Sequence, residues 1–325
     1  MYKRRTMLVA ALAAAAAASS PTVIAADAFP RRPVRIVVPS SAGGGADTVA
    51  RQLSAALQQA WSQGVIVENR AGAGGAIGTL EVVRAQPDGH TLLVQNSTMV
   101  TNNAIAARKP YDPEKDLTPI MLLGVTPLAV FAHAGAPFAS LREMSAAARA
   151  GTGALSYGSC GNGTPHHFGM ELLKQKLGIA LQHVGYKGCA PEITDVVAGQ
   201  IPIGIATANM VAQHVAAGRV KVLAVSGSKR YRLLPEAPTL DSLGYGSPDF
   251  SIWYALMGPP SMPPQVVSRI AAVVQQALDN PAIQSQLTAA GVEPLRGGAA
   301  ELTRLIRSDS EQYARIARQA NIKGD

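Results

Sequence analysis

Val34-Arg35-Ile36-Val37-Val38-Pro39 followed by Ser40-Ser41-Ala42-Gly43-Gly44-Gly45-Ala46-Asp47 is the stretch on which the reading of the fold turns. A short β-branched run enters a glycine turn. Behind the turn, Val49, Leu53, Ala56 and Leu57 recur at helical spacing, with Asp47 placed as an N-cap or first-turn acid. A buried strand of a parallel sheet, a loop and an amphipathic helix follow from that order. Glycine lets backbone approach a ligand closely, and the helix behind it presents unpaired N–H groups and roughly half a positive charge, which favours an anion.

Three more glycine turns sit between strand-like and helix-like runs: Gly72-Ala73-Gly74-Gly75, Gly158-Ser159-Cys160-Gly161-Asn162-Gly163-Thr164 and Gly185-Tyr186-Lys187-Gly188. Strands are predicted at 34–39, 65–68, 91–94, 128–131, 155–157, 181–184, 201–205 and 220–225. Helical faces are carried by Phe168, Leu172, Leu173 and Leu177, and by Ile193, Val196 and Val197. The alternation predicts an α/β fold whose sheets are mainly parallel. Near the C-terminus, helices are predicted on Val266, Ile270, Val273, Val274 and Ala277, and on Leu302, Leu305, Ile306, Tyr313 and Ile316, packed back on the first half with no further strand. The length suggests two domains. Residues 124–137 and 244–254 are the candidate crossings, giving one lobe from 29–128 plus 246–325 and a second from 129–245.

The N-terminus reads as an export signal. Lys3, Arg4 and Arg5 precede an apolar stretch from Met7 to Ala18, with small residues offering cleavage after Ala25, Ala26 or Ala28. That stretch is shorter than the ~20 residues that span a bilayer. The expected location is the periplasm. The formal charge of +8 loses three positive groups and Asp27 with residues 1–28, leaving +6. No basic cluster marks a nucleic-acid surface. Cys160 and Cys189 are the two cysteines. An oxidising compartment favours a disulfide, with a reactive thiol or two packed free cysteines as alternatives.

Cofactor and enzyme motifs fail on spacing. Gly72-Ala73-Gly74-Gly75-Ala76-Ile77-Gly78 puts its last glycine one place late for a dinucleotide fingerprint, and no Walker loop is present. Ser159 lacks the glycine two places before it that a nucleophile elbow needs. A hydrolase using Ser159 or Cys160 is the alternative of a different class. His166, His167 and His183 have no acidic partner at metal-ligand spacing, so no metal and no cofactor are expected. Lys187, the one fixed cation in the four loops, either faces an anion or is a solvated loop lysine. Asp195 caps its helix or receives a substrate amine.

Across the mature chain the motifs occur in a recognisable order. They include Val67-Glu68-Asn69-Arg70-Ala71-Gly72-Ala73-Gly74-Gly75, Pro87-Asp88-Gly89-His90-Thr91-Leu92-Leu93 and Tyr111-Asp112-Pro113-Glu114-Lys115-Asp116-Leu117. Gly161-Asn162-Gly163-Thr164-Pro165-His166-His167, His183-Val184-Gly185-Tyr186-Lys187-Gly188 and Leu234-Pro235-Glu236-Ala237-Pro238-Thr239 follow. In these the chain resembles the substrate-binding receptors of tripartite tricarboxylate transporters, the Bordetella uptake gene (Bug) receptors. The resemblance implies a two-lobed periplasmic binding fold that closes on a small carboxylate, held by amides, hydroxyls and water. The expected partners are a small carboxylate and membrane permease subunits of such a transporter, served by a monomer; a receptor feeding a signalling partner is the alternative. Carried onto this chain, the contacts fall on Ser40, Ser41, Ala42, Gly43, Gly44, Asn96 and Ser97 in the first lobe. In the second they fall on Ser159, Gly161, Asn162, Gly163 and Thr164, with Tyr186 and Asp195 close by. Three positions depart from the family pattern: Ser40 where an aromatic is frequent, Pro202 where an acid is usual, and Gly185 where proline is common.

Overall fold

The computed structural model describes residues 29–151, 155–246 and 250–324, so the export signal at 1–28 lies outside the described residues. Strand β1 (Val34–Val38) leads into α1 (Gly45–Trp61) and returns as β2 (Val65–Asn69), parallel to β1 from Val34↔Val65 to Val38↔Asn69. A second crossover through α2 (Ala76–Val83) sets β3 (Thr91–Asn96) on the other side of β1, again parallel. Helix α3 (Thr98–Ile105) follows, then β4 (Thr118–Thr126).

From β4 the chain passes through Pro127 straight into β5 (Leu128–His133), which belongs to a second sheet. That sheet is completed by β6 (Ser156–Ser159), β7 (Gln182–Gly185), β8 (Ile203–Thr207) and β9 (Val220–Val225), in the order β7-β6-β8-β5-β9. Its helices are α4 (Leu141–Ala150), α5 (Pro165–Leu177), α6 (Cys189–Val197) and α7 (Ala208–Ala216). The chain then returns to the first sheet as β10 (Ile252–Gly258), α8 (Pro264–Asp279), α9 (Pro281–Ala289), β11 (Glu293–Gly298) and α10 (Ala299–Gln319). The order there is β11-β4-β10-β3-β1-β2.

Both sheets are mixed rather than mainly parallel. Among the named strands, parallel pairing occurs within β1–β3 and β6–β8, where strand, loop and helix alternate. β10 runs antiparallel between β3 and β4, and β5 antiparallel between β8 and β9. These strands enter from the other sheet rather than over a covering helix, so no crossover dictates their direction. β11 also overturns the expectation of no strand near the C-terminus. Its Glu293-Pro294-Leu295-Arg296-Gly297-Gly298 is an edge strand with a register shift between Pro294 and Gly297, a composition that carries little strand signal.

The core forms where the helical faces meet the sheets. Val49, Leu53 and Leu57 of α1 pack with Ile36, Val38, Ile270 and Val274. On the opposite face Leu93, Trp253, Leu302, Ile306 and Tyr313 form a second cluster, and Phe168 of α5 joins it with its ring 5.1 Å from that of Tyr313. Trp253 Nε1 donates to Asp309 Oδ2 at 2.8 Å, pinning α10 to β10. The two crossings are tied together: Leu128 N donates to Ser226 Oγ at 2.9 Å, Ser226 N to Leu128 O at 2.8 Å, and Ser226 Oγ lies 2.9 Å from Ser251 Oγ. Among the described residues no helix is long and apolar enough to cross a membrane.

Replacing Ile36, fully buried in a central strand, with Ala is expected to cost about 2–5 kcal/mol in urea unfolding. Ile66→Ala on edge strand β2, where the side chain is 53% exposed, is expected to stay within about 0.5 kcal/mol. Equal losses at the two positions would show that β2 is not an edge.

Candidate functional site

Register alone brings the ends of the parallel strands to one place. Asn96, last in β3, pairs with Tyr254, which pairs in turn with Gly124 near the end of β4; Thr207, last in β8, pairs with Leu128. The carboxyl ends of β3 and β8 therefore flank the Pro127 crossing from opposite sheets, with α3 and α7 starting just beyond them. That is where open α/β sheets bind ligands.

In the first loop, Ser41 to Gly45 are exposed while the residues that hold them are not. Asp47, 3% exposed, accepts from Gly43 N at 2.9 Å, Arg51 Nε at 3.0 Å and Asn69 Nδ2 at 3.0 Å. Asn69 Nδ2 also donates to Ser40 O at 3.1 Å. Burial works against the charge on Asp47, but the Arg51, Gly43 and Asn69 hydrogen bonds outweigh it and hold the carboxyl below its ordinary range. Gly43 turns at φ +83°, a conformation that side chains rarely adopt. The start of α1, with Gly44 as N-cap, has no side-chain cap, so its N–H groups stay available.

Two residues not anticipated from sequence close this corner. A Cβ added to Gly45 would collide with the Tyr254 hydroxyl, so that hydroxyl lies directly against the start of α1. Thr126 Oγ1 is 3.4 Å from it. Burial raises the Tyr254 phenol, keeping it a neutral donor. Asn96 Oδ1 accepts from Thr98 N at 3.0 Å, so its carbonyl caps α3, and the Ser97 hydroxyl is fully buried.

The second-lobe loop is held from below. Thr164 is the N-cap of α5: its hydroxyl accepts from His167 N at 3.4 Å and donates to Gly161 O at 2.7 Å. Ser159 is fully buried, with Oγ 2.8 Å from His183 Nε2. His183 stacks on His167 at 3.6 Å between ring centroids, and His167 Nδ1 accepts from Gly163 N at 3.2 Å. Burial depresses His166 to about 4; burial, then the charges of His183 and Lys174, depress His167 to about 3. Burial foremost also takes His183 to about 4. Asn162 is exposed, and its Nδ2 donates to Lys323 O at 2.8 Å.

A Cβ on Gly163, which turns at φ +68°, would strike Ile105 at the end of α3. Gly324 N donates to Ile105 O, and Asn102 Nδ2 to Gly74 O at 2.6 Å. The second-lobe loop thus touches the same helix as the Gly72–Gly75 turn. Tyr186 donates to Asp195 Oδ2 at 2.8 Å; burial and that carboxylate push the phenol up to about 12. Lys187 is exposed. Cys160 and Cys189 form a disulfide that joins the third and fourth glycine turns.

Two α/β lobes joined by paired crossings, with glycine loops gathered at the strand ends, define a two-lobed solute-binding protein. The family model described as tripartite tricarboxylate transporter family receptor matches residues 49–322, and the chain belongs to that family. It is similar to the periplasmic binding protein BugD, with 30% identity, 91% of this chain and 100% of that chain covered, and a TM-score of 0.73. Two structures from Rhodopseudomonas palustris are also similar. Rpa4515 with adipate is 27% identical, covering 91% and 99% of the two chains at a TM-score of 0.76. MatC with bound malate is 29% identical, covering 89% and 99% at 0.72.

Thr164→Ala is expected to lower stability by about 1 kcal/mol through loss of the cap, read by urea unfolding; an unchanged midpoint would remove the capping role. The histidines give a pH dependence of definite sign. They stay neutral in the fold down to about 4 or 3 but charge below ~6.5 once unfolded. Across that window the unfolded chain binds more protons, so stability should fall as pH drops from 6.5 toward 4. His167→Phe should reduce the slope by about one proton; an unchanged slope would show that His167 does not titrate on unfolding.

Proposed function

We propose that this chain is an extracytoplasmic solute receptor that captures a small carboxylate between its lobes by closure and delivers it to a tripartite tricarboxylate-type permease. The observation that carries the reading is the exposed, uncapped start of α1 at Gly44–Gly45, with Gly43 braced by buried Asp47, at the corner where strand ends from both sheets meet. Backbone N–H groups at a helix start suit a carboxylate, and Arg51, one turn into the helix, is spent on Asp47 and Asn69. Related receptors carry adipate and malate, both dicarboxylates, which supports the same ligand class here.

The lobes are taken as 29–128 plus 246–325 and 129–245. Ligand contacts are assigned to Ser40–Gly44, Asn96 and Ser97 on one side, and to Gly161–Gly163, Tyr186 and Asp195 on the other. Ser159 and Thr164 act by positioning the loop, since their hydroxyls are engaged with His183 and Gly161. Tyr254 joins the first set. Export by the N-terminal signal delivers a monomeric receptor to the periplasm, and no covalent step is assigned to it.

Thermal melting of the mature, ligand-stripped protein against mono-, di- and tricarboxylates and amino acids tests this. A ligand at one hundred times its Kd should add about 2.7 kcal/mol of stability. Asp47→Ala should weaken that ligand at least about tenfold by releasing the loop, a loss of about 1.4 kcal/mol. No shift with any carboxylate would overturn the reading, and unaltered affinity in Asp47→Ala would move the site away from α1.

A further inference from the structure

The disulfide has neighbours that the ligand site does not use. His166 Nε2 stands 3.7 Å from Cys189 Sγ, and the ligand atoms of Cys160, Cys189 and His166 all lie within 4.8 Å of one another. His166 is 6% exposed, and its other ring nitrogen, Nδ1, is buried with no hydrogen-bond partner. Glu192 is fully buried on the first turn of α6; its Oε1 accepts from Ile205 N, and its Oε2 lies 3.3 Å from Cys160 Sγ. Two sulfurs and an imidazole from three elements therefore converge on one point, with a carboxylate beside one of the sulfurs.

These separations match a coordination shell. With Zn–S of about 2.3 Å and Zn–N of about 2.0 Å, the S–S and S–N edges of a tetrahedron are about 3.5–3.8 Å. The His166–Cys189 distance of 3.7 Å is close to the S–N edge. The edge between the two sulfurs is occupied by a covalent bond, and cleaving it frees both for a metal.

We propose that the reduced form of this protein binds a thiophilic divalent cation, Zn²⁺ in the first instance, through Cys160, Cys189 and His166, with the Glu192 carboxylate beside Cys160 adding negative charge next to the site. The reductant is a dithiol. One of its thiolates attacks the sulfur of Cys189, the more exposed of the two residues, forming a mixed disulfide and releasing Cys160. Its second sulfur displaces Cys189, so the dithiol leaves as a disulfide and its two protons and two electrons end on the protein thiols. The cation then displaces both thiol protons to solvent. A metal bridge replaces the covalent one between the third and fourth glycine turns and keeps them joined after reduction.

The test uses the exported chain, as isolated and after treatment with dithiothreitol followed by anaerobic desalting. Zinc is titrated against a chromophoric chelator, and Co²⁺ is added separately to read thiolate-to-cobalt absorption. One equivalent of zinc should bind the reduced protein and none the oxidised protein. His166→Gln should bind at least tenfold more weakly while still titrating two thiols, and Glu192→Gln severalfold more weakly. If reduction lowers the melting temperature, one equivalent of zinc should restore it. Absence of stoichiometric binding after reduction, equal binding by both forms, full affinity in His166→Gln, or a lowered melt that zinc does not restore would each overturn the proposal. None of these readouts depends on a carboxylate ligand.

Discussion

Leu128 exchanges both of its backbone groups with Ser226, giving its N–H to the hydroxyl and its carbonyl to the amide. Ser251, on the return path to β10, lies against the same hydroxyl. This buried arrangement sets the two interlobe crossings side by side, and much else depends on it. Because β5 and β10 start at that point, β3 and β8 end there, and the helices behind them begin there too. Polar groups buried at a crossing must be paired to be tolerated, and here the pairing also sets which strand ends meet.

The loops at that corner work as backbone held rigid by side chains. Asp47 and Asn69 brace the first; Thr164, His167 and the Ser159–His183 pair brace the second. Several polar residues in the loop segments serve this bracing. The disulfide adds a covalent tie between the third and fourth turns, with a neutral imidazole and a buried acid beside it.

Much of the fold was legible in the sequence because strand–loop–helix alternation is local. All eight predicted strands are present, shifted by at most two residues at most ends, and the apolar stripes of α1, α5, α8 and α10 face the core. The strands that were missed have physical reasons. β4 carries Pro119 and Gly124, and β11 carries Pro294, Gly297 and Gly298, residues that weaken a strand signal. β10, buried throughout, follows the second crossing as a continuous apolar run with no alternating pattern to mark it. The direction of β5 and β10, and with it the mixed character of both sheets, has no local signature.

What the sequence by itself determined is the set of four glycine turns, the helices behind them and the pair of cysteines, since spacing and residue type suffice for each. Only the tertiary structure decided which side chains meet. Tyr254 lies against Gly45 through the β3–β10 register, Asn69 braces Ser40 and Asp47 through β1–β2 pairing, and His166 reaches Cys189 because α5 and α6 start from neighbouring strands. Those contacts join residues up to 209 positions apart, separations at which helical and strand periodicities carry no information. Strand order and register alone bring them together.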